Sequence, residues 1–288
     1  MKDSHAHTTG VFCAIASAVL MGTIGVFSKV MGLSAESISF LRLFLGSCFM
    51  FLFILYKGKT SLLLARPQFS VCINGAFLAG FIVFYVQAMN YTTMANAIML
   101  VYFAPLTASI YAHFFMAEKL HPRALLLIIL AVVGFAMMLE FKLNLQSDLQ
   151  KTVGLGYALI AMFCYSGFIL VNRTITSHIY ASTFYQLLIG GLLMAPFFIY
   201  NYQPLSLQQG ILALGVGLFP GFLAILFAVM ALRELPAATF GTLAYFEPLA
   251  VVVFGWFFFQ ESLSSLQLAG CAVILFSGSV KAITDRPV

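Results

Sequence analysis

One carboxylate lies in the middle of a strongly apolar part of the chain. Glu247 stands about ten residues into the segment 237–259, directly before Pro248. If this segment crosses a bilayer, a charged side chain at its centre costs about 2.5–3.5 kcal/mol on insertion scales, and such residues normally mark a substrate or proton pathway. We interpret Glu247 as a partner for a cation or amine, or as a proton-coupling group. The alternative is a protonated side chain that caps the carbonyl groups freed by Pro248.

Two prolines and two tyrosines occur in matching surroundings. Pro105 and Pro248 each remove a backbone donor, so each is expected to kink its helix, and bent helices make room for a cavity. Tyr102 and Tyr245 each lie about one turn before the proline. Core packing and substrate contact are equally good interpretations of these tyrosines.

Two further polar residues are candidates for a binding site. Arg42 lies five or six residues inside the segment 36–56. It would snorkel to the outer surface or pair with Glu36, or alternatively contact a substrate carboxylate. Gln87 lies within the segment 69–90, where its amide would either bond a neighbouring helix or face the same cavity.

The composition excludes a soluble protein. Of the 288 residues, 62% are hydrophobic and only 8% are charged, which is too few charges to cover a water-exposed surface. Helices of about 20 apolar residues are needed to cross a bilayer. Ten such segments are predicted, and the sequence therefore predicts an all-α membrane protein: 11–31, 36–56, 69–90, 93–116, 123–140, 153–172, 181–200, 209–232, 237–259 and 264–283.

Several other kinds of function are disfavoured by the same sequence. The net charge of +5 comes from scattered single residues, so no nucleic-acid partner is predicted. The five cysteines lack CxxC spacing, so no metal site, and indeed no cofactor, is predicted. No Walker A motif is present for ATP hydrolysis. An intramembrane hydrolase using Ser166 and His113 would lack an acid and an oxyanion motif, and no catalytic residue is assigned.

The sequence contains an internal repeat. Shifted by 143 positions, residues 88–120 fall on residues 231–263, and the block from Tyr102 to Leu106 falls on the block from Tyr245 to Leu249. A shift of 144 aligns the earlier part, with Gly46 on Gly190. The repeat predicts two related five-helix units, 11–144 and 145–283, between a cytoplasmic N-terminus (1–10) and a cytoplasmic tail (284–288).

Five is an odd number, so the second unit should enter the bilayer from the opposite side. The positive-inside rule supports this prediction. With the N-terminus in the cytoplasm, ten lysines and arginines fall inside, and Lys142 and Lys151 are the clear outward ones. The inward set is Lys2, Lys57, Lys59, Arg66, Lys119, Arg123, Arg173, Arg233, Lys281 and Arg286. We therefore predict inverted repeats with both termini inside.

The paired blocks also resemble a known family. PLTASIYAHFFMAEKL and PLAVVVFGWFFFQESL, together with FLRLFLG in the second segment, are similar to the ten-helix EamA-type members of the drug/metabolite transporter superfamily. The resemblance implies a bacterial inner-membrane carrier, often an exporter of amino acids or related metabolites. It also implies a central cavity bordered by helices 3, 4, 8 and 9, with helices 5 and 10 at the periphery.

Inverted repeats support alternating access, since two interchangeable half-structures expose a central site to each side in turn. We therefore predict a multi-pass secondary transporter of a small polar organic solute, as a monomer or homodimer, with Glu247, Tyr102, Tyr245, Gln87 and Arg42 at the site. Its partners would be the solute, the lipid bilayer and protons as a coupling ion. An organic-phosphate or nucleotide-sugar antiporter is the alternative, although only Arg42 is a deep cation.

The topology can be tested with reporter fusions. Fusions after Arg66, Arg123 and the C-terminus should report the cytoplasm, and those after Asn144 or Tyr202 the periplasm, because the positive charges are retained inside. A periplasmic C-terminus would contradict the inverted-repeat prediction.

Overall fold

The computed structural model describes residues 2–64, 66–92, 94–116, 120–141, 149–200, 202–260 and 262–284, and its described residues form helices and no strand. The helices are α1 (Lys2–Met31), α2 (Ala35–Tyr56), α3 (Ser61–Leu64), α4 (Phe69–Tyr91), α5 (Met94–Val101), α6 (Ala104–Phe115), α7 (Pro122–Met138), α8 (Leu149–Thr174), α9 (Ile179–Tyr200), α10 (Leu207–Val216), α11 (Ala224–Glu234), α12 (Ala237–Ala244), α13 (Phe246–Phe259) and α14 (Ser265–Thr284). A π-helical segment, Gly217–Leu223, joins α10 to α11.

The helices form ten spans. Within the described residues, nine helical stretches are long and apolar enough to cross a membrane, and α7 is a shorter apolar helix of 17 residues. Spans 1 to 3 are α1, α2 and α4; span 4 is α5 with α6; spans 5 to 7 are α7, α8 and α9. Span 8 is α10, the π segment and α11; span 9 is α12 with α13; span 10 is α14. The predicted all-helical membrane fold is confirmed.

The helix bounds differ from the prediction at the N-terminus. Helix α1 begins at Lys2, whereas residues 1–10 were expected to precede the first span. The polar start continues the helix because no proline interrupts it, and Gly10 lies directly against Glu234 and Leu235 of span 8. Three of the charges used for topology, Lys119, Lys142 and Arg286, lie outside the described residues, as does the side chain of Lys151.

Large apolar side chains cover the outside of the bundle. Phe114 and Phe115 are 73% and 72% exposed, and Phe257 and Phe276 are 62% and 60% exposed. A soluble protein rarely exposes contiguous apolar surface on this scale. In a bilayer the same surface faces hydrocarbon, which explains why spans without a polar face are stable here.

The spans pack in a pattern that matches the repeat. Span 3 packs on span 6, and span 8 packs on span 1. Span 2 packs on spans 7 and 8, and span 7 also packs on span 3. Spans 5 and 10 pack on each other. If span 1 is exchanged with span 6, span 2 with span 7, and so on through spans 5 and 10, each of these contacts becomes a contact of the same set. This arrangement is the one that two related halves require, and their inverted insertion stays a prediction.

A buried chain of amides joins spans 3, 6 and 7. Asn74 Nδ2 donates to Gln186 Oε1 at 3.1 Å, and Gln186 Nε2 donates to Asn172 Oδ1 at 3.0 Å. Asn172 Nδ2 then donates to the Phe168 carbonyl at 3.1 Å. The three amide side chains are fully buried. Because hydrocarbon offers no alternative partner, the chain of bonds fixes the relative positions of these spans.

Replacement of Gln186 by alanine should destabilise the fold. It would leave the amides of Asn74 and Asn172 without their partner, and we expect a loss of about 1–2 kcal/mol in the free energy of unfolding. Denaturation of the purified protein in detergent measures the change. Gln203→Ala, at an exposed position, is the control. Equal stability of the two variants would contradict the structural role of the amide chain.

Candidate functional site

Five polar side chains from five different helical elements meet inside the bundle, and we call them the central site. They are Arg42 of α2, Tyr85 of α4, Tyr102 between α5 and α6, Tyr165 of α8 and Glu247 in the first turn of α13. Glu247 interacts electrostatically with Arg42 and with all three tyrosines. Glu247 lies ten residues into span 9. Because a helix rises about 1.5 Å per residue, this position is near the middle of the membrane.

The central site lies where two spans are broken. Span 4 leaves the α-helical conformation at Tyr102 and Phe103, and span 9 does so at Tyr245. In each case the next helix carries a proline in its first turn, Pro105 or Pro248, which has no N–H to continue the hydrogen-bond ladder. The Tyr245 hydroxyl donates to the Tyr102 carbonyl, so the two breaks are joined directly.

Hydroxyl groups donate to backbone carbonyls in the first turn of α6, directly after the break in span 4. Ser166 Oγ of α8 lies 3.1 Å from the Ala104 carbonyl oxygen, and Thr107 Oγ1 donates to that oxygen at 2.9 Å. One turn later, Ser109 Oγ donates to the Pro105 carbonyl at 2.7 Å. Non-helical backbone at this depth is tolerated only where the protein supplies partners, and at the break in span 4 the Tyr102 carbonyl accepts the Tyr245 hydroxyl.

Opposite charges share the central site with hydrogen-bonding groups that have no partner. Tyr102 and Glu247 interact through their side chains. Arg42 Nε and Tyr85 Oη are buried and bond to nothing within the described residues. Unpaired buried donors are costly, at about 1–3 kcal/mol each, and a bound ligand is one way to satisfy them. The site can therefore receive a carboxylate at Arg42 and Tyr85 and a cation at Glu247.

The π-helical segment brings span 8 against the backbone of Arg42. A methyl group added at Gly221 would overlap the Arg42 carbonyl oxygen, and one at Gly46 would lie 3.1 Å from the Gly221 carbonyl carbon. Pro220 lies inside the segment, where a missing N–H favours the wider turn. The close approach of the two backbones fixes the depth of Arg42 in α2.

Aromatic rings form one side of the central site. Phe81 stacks on Tyr165 with ring centroids 4.9 Å apart and on Tyr85 at 6.2 Å. Tyr102 packs on Tyr245 at 5.6 Å. These rings are large and stiff, so they hold the hydroxyl groups in place and give the site an apolar wall.

The structure brings some of the predicted site residues together and leaves another one apart. Arg42, Tyr102 and Glu247 meet in the central site, and Tyr245 connects the breaks beside it. The charge that interacts with Arg42 is Glu247, so the predicted alternative of pairing with Glu36 does not describe its environment. Gln87 contacts Asn90 at 3.5 Å, and no described contact joins it to the central site.

Sequence reasoning missed Tyr85 and Tyr165. Both lie in apolar segments among many aromatic residues, and neither has an aromatic counterpart at the repeat offset. The only sequence signal near Tyr85 was the candidate residue Gln87, two positions later. Their role depends on the packing of spans 3 and 6 against each other, which no local pattern reports.

The residues considered for a hydrolase do not form a catalytic pair. Ser166 Oγ bonds the Ala104 carbonyl of span 4 and the Met162 carbonyl of its own helix, α8. His113 is exposed, and its Nδ1 accepts a hydrogen bond from the Leu120 N–H at 3.1 Å. The serine is a structural donor here.

A ten-span bundle with a charged site at its centre defines a class of membrane transporters. The chain belongs to the EamA-like transporter family, whose model matches it twice, over residues 8–140 and 152–280. The two matches agree with the internal repeat. Members of this family are transporters and not enzymes, so the hydrolase alternative is excluded.

Named relatives extend over almost the whole chain. It is 28% identical to an uncharacterized transporter of Archaeoglobus fulgidus, over 92% of this chain and 93% of the relative. It is 27% identical to the threonine/homoserine exporter RhtA of Salmonella typhimurium, over 88% and 84%. It is 24% identical to the pseudopaline exporter CntI of Pseudomonas aeruginosa, over 93% of each. A crystal structure with 18% sequence identity has the same fold, with a TM-score of 0.84 over 96% of this chain and 99% of that one.

Substitution of Gly221 by alanine should disturb the central site. The added methyl group would push span 8 away from the Arg42 backbone, with an expected loss of about 1–3 kcal/mol in stability and a loss of transport. Gly210→Ala, earlier in the same span, has no heavy atom within 4 Å of the added group and is the matched control. The melting temperature and the transport rate per folded molecule should both be lower for Gly221→Ala than for Gly210→Ala. Identical values for the two variants would refute the close approach of the span 8 backbone to Arg42.

Proposed function

We propose that this chain is a secondary active transporter that exports small polar organic solutes, such as amino acids or related metabolites, from the cytoplasm across the inner membrane. Solute binds at the central site, which alternating access exposes to each side in turn. The observation that carries the proposal is the electrostatic interaction of Arg42 with Glu247, two opposite charges inside the bundle. The names of the relatives RhtA and CntI, both exporters, support the direction.

The charges of the central site fit a zwitterion. Arg42 Nε and Tyr85 Oη are available for a carboxylate, and an arginine paired with a carboxylate forms a strong charge-assisted bond. Glu247 and Tyr102 are available for an ammonium group. A zwitterion brings one charge of each sign, so every charge in the occupied site has an opposite neighbour.

The organic-phosphate alternative fits this site less well. Phosphate carries about two negative charges and normally requires two or more deep cations. At the central site the described cation is Arg42, and Glu247 is the charge with which it interacts. A bound phosphate would be repelled by Glu247.

Glu247 is also the group that we propose for proton coupling. A carboxylate at this depth can exchange a proton for an amine as the site changes its exposure, because either the proton or the ammonium group alone neutralises its charge. The repeat offset places Ala104 opposite Glu247, so the charge occurs in only one half. One-sided charge holds a single ligand away from the pseudo-twofold axis.

Glu247→Gln separates coupling from binding. The variant keeps the shape and hydrogen-bonding capacity and removes the charge. If Glu247 couples protons, gradient-driven accumulation of L-threonine in proteoliposomes falls to background, while counterflow exchange continues. If it only binds the substrate ammonium, both activities fall together.

Two control variants complete the test. Glu36→Gln removes a carboxylate in the first turn of α2, and Cys271→Ala shortens a side chain of α14. Glu36→Gln should transport at the wild-type rate, and so should Cys271→Ala, whose side chain packs on the cluster around Tyr102 and Tyr245 without belonging to the five central-site residues. Wild-type activity of Glu247→Gln in both assays, at equal expression, would refute either role.

A further inference from the structure

The connector between spans 2 and 3 is basic. Residues 57–68, which we call the basic connector, contain Lys57, Lys59 and Arg66 and no acidic residue. All three cations are exposed, and no ion pair joins any of them to a residue that the structure describes. The basic connector therefore presents positive charge to its surroundings.

Exposed apolar side chains accompany these charges. The short helix α3 lies within the basic connector, and its Leu64 is 87% exposed. Tyr56 and Phe69, at the ends of spans 2 and 3 that flank the connector, are 84% and 80% exposed. Tyrosine at the end of a span is typical of the membrane interface. A surface with cations beside apolar groups suits an amphiphile, whose chains cover the apolar part while its headgroup meets the charge.

Hydrogen bonds hold the basic connector against the neighbouring spans. The Tyr185 hydroxyl of span 7 donates to the Leu63 carbonyl at 2.8 Å. Gln68 Nε2 donates to Thr176 Oγ1, in the connector between spans 6 and 7, at 3.1 Å. The backbone that carries the cations is thus fixed at both ends of α3, so the surface is formed before a ligand arrives.

Aromatic and imidazole rings position the two lysines. Lys57 Nζ lies 5.5 Å from the centre of the Phe53 ring, and Lys59 Nζ lies 5.3 Å from the centre of the Tyr180 ring. Lys59 Nζ also donates to His178 Nε2 at 3.3 Å. None of these rings carries a negative charge, so the contacts orient the ammonium groups without neutralising them.

The charges of the basic connector occur in one half of the chain. At the repeat offset of 144, its three cations correspond to Asn201, Gln203 and Gly210. Cations that a five-helix unit needed for packing would occur in both halves. The positive-inside rule accounts for the side on which they lie, and it leaves unexplained the exposed leucine and rings beside them.

We infer that the basic connector binds an anionic phospholipid, with the headgroup phosphate at Lys57, Lys59 and Arg66 and the acyl chains against Leu64 and the flanking rings. Each lysine or arginine near an anionic membrane surface strengthens binding about fivefold. The inference goes beyond the proposed function, because it involves neither the solute nor the central site. The predicted topology places this lipid in the cytoplasmic leaflet.

Native mass spectrometry tests the binding directly. The full chain is released from mixed micelles that contain equal amounts of phosphatidylglycerol and phosphatidylcholine, and the bound lipids are identified by mass. We expect a preference for phosphatidylglycerol that falls about fivefold in Arg66→Gln, and further in the double variant that adds Lys57→Gln. Both residues are exposed, so these variants should fold.

The matched control is Arg123→Gln, which removes an exposed cation on the same predicted side of the membrane but outside the basic connector. It should leave the lipid preference unchanged. An equal fall in Arg123→Gln and Arg66→Gln would show that net charge alone sets the preference, which overturns the inference. Absence of any preference in the wild-type protein overturns it as well.

Two further measurements distinguish a lipid from a soluble anion. Leu64→Gln keeps all the charges and makes α3 more polar, so it should lower the amount of bound phosphatidylglycerol. Glycerol 1-phosphate, which has no acyl chains, should not displace the lipid. Displacement, or full binding by Leu64→Gln, would show that charge alone holds the ligand and overturns its assignment as a lipid. The Glu247→Gln assays are independent of these results, so the two proposals can fail separately.

Discussion

The lack of hydrogen-bonding partners in hydrocarbon is the constraint on which this structure depends. Every backbone group that leaves the helical ladder inside the membrane must find a partner in the protein. Spans 4 and 9 break next to Pro105 and Pro248, and the Tyr102 carbonyl at the break in span 4 accepts the Tyr245 hydroxyl of span 9. The same requirement explains why Ser17 of span 1 donates to the Ala224 carbonyl, where the π segment of span 8 ends, at 2.8 Å.

The breaks and the central site are parts of one arrangement. A broken span ends a helix at mid-membrane, and the turn there brings side chains such as Tyr102 and Glu247 inward. The glycines of spans 2 and 8 let two backbones approach closely at Arg42. Packing therefore brings two opposite charges together at a depth where each alone would be costly.

The two halves use equivalent positions differently. At the repeat offset, Gln186 corresponds to Arg42, and it takes part in the amide chain that joins spans 3, 6 and 7. Arg42 instead has a buried Nε without a partner among the described residues. One half thus holds its spans together at the position where the other half carries the arginine that we propose as a ligand-binding group. Such asymmetry is what a duplicated scaffold needs in order to bind one polar solute.

Composition and periodicity alone determined the class of this protein, since a chain with 8% charged residues and repeated apolar segments has no stable fold in water. The repeat, the prolines and the position of Glu247 and Arg42 inside apolar segments could also be recognised, because a charge or proline in an apolar segment stands out locally. The contribution of Tyr85 and Tyr165, the local pairing of Gln87 and the π segment could not. Each depends on which spans pack together, and interhelical contacts between residues more than a hundred positions apart leave no periodic signal in a single sequence.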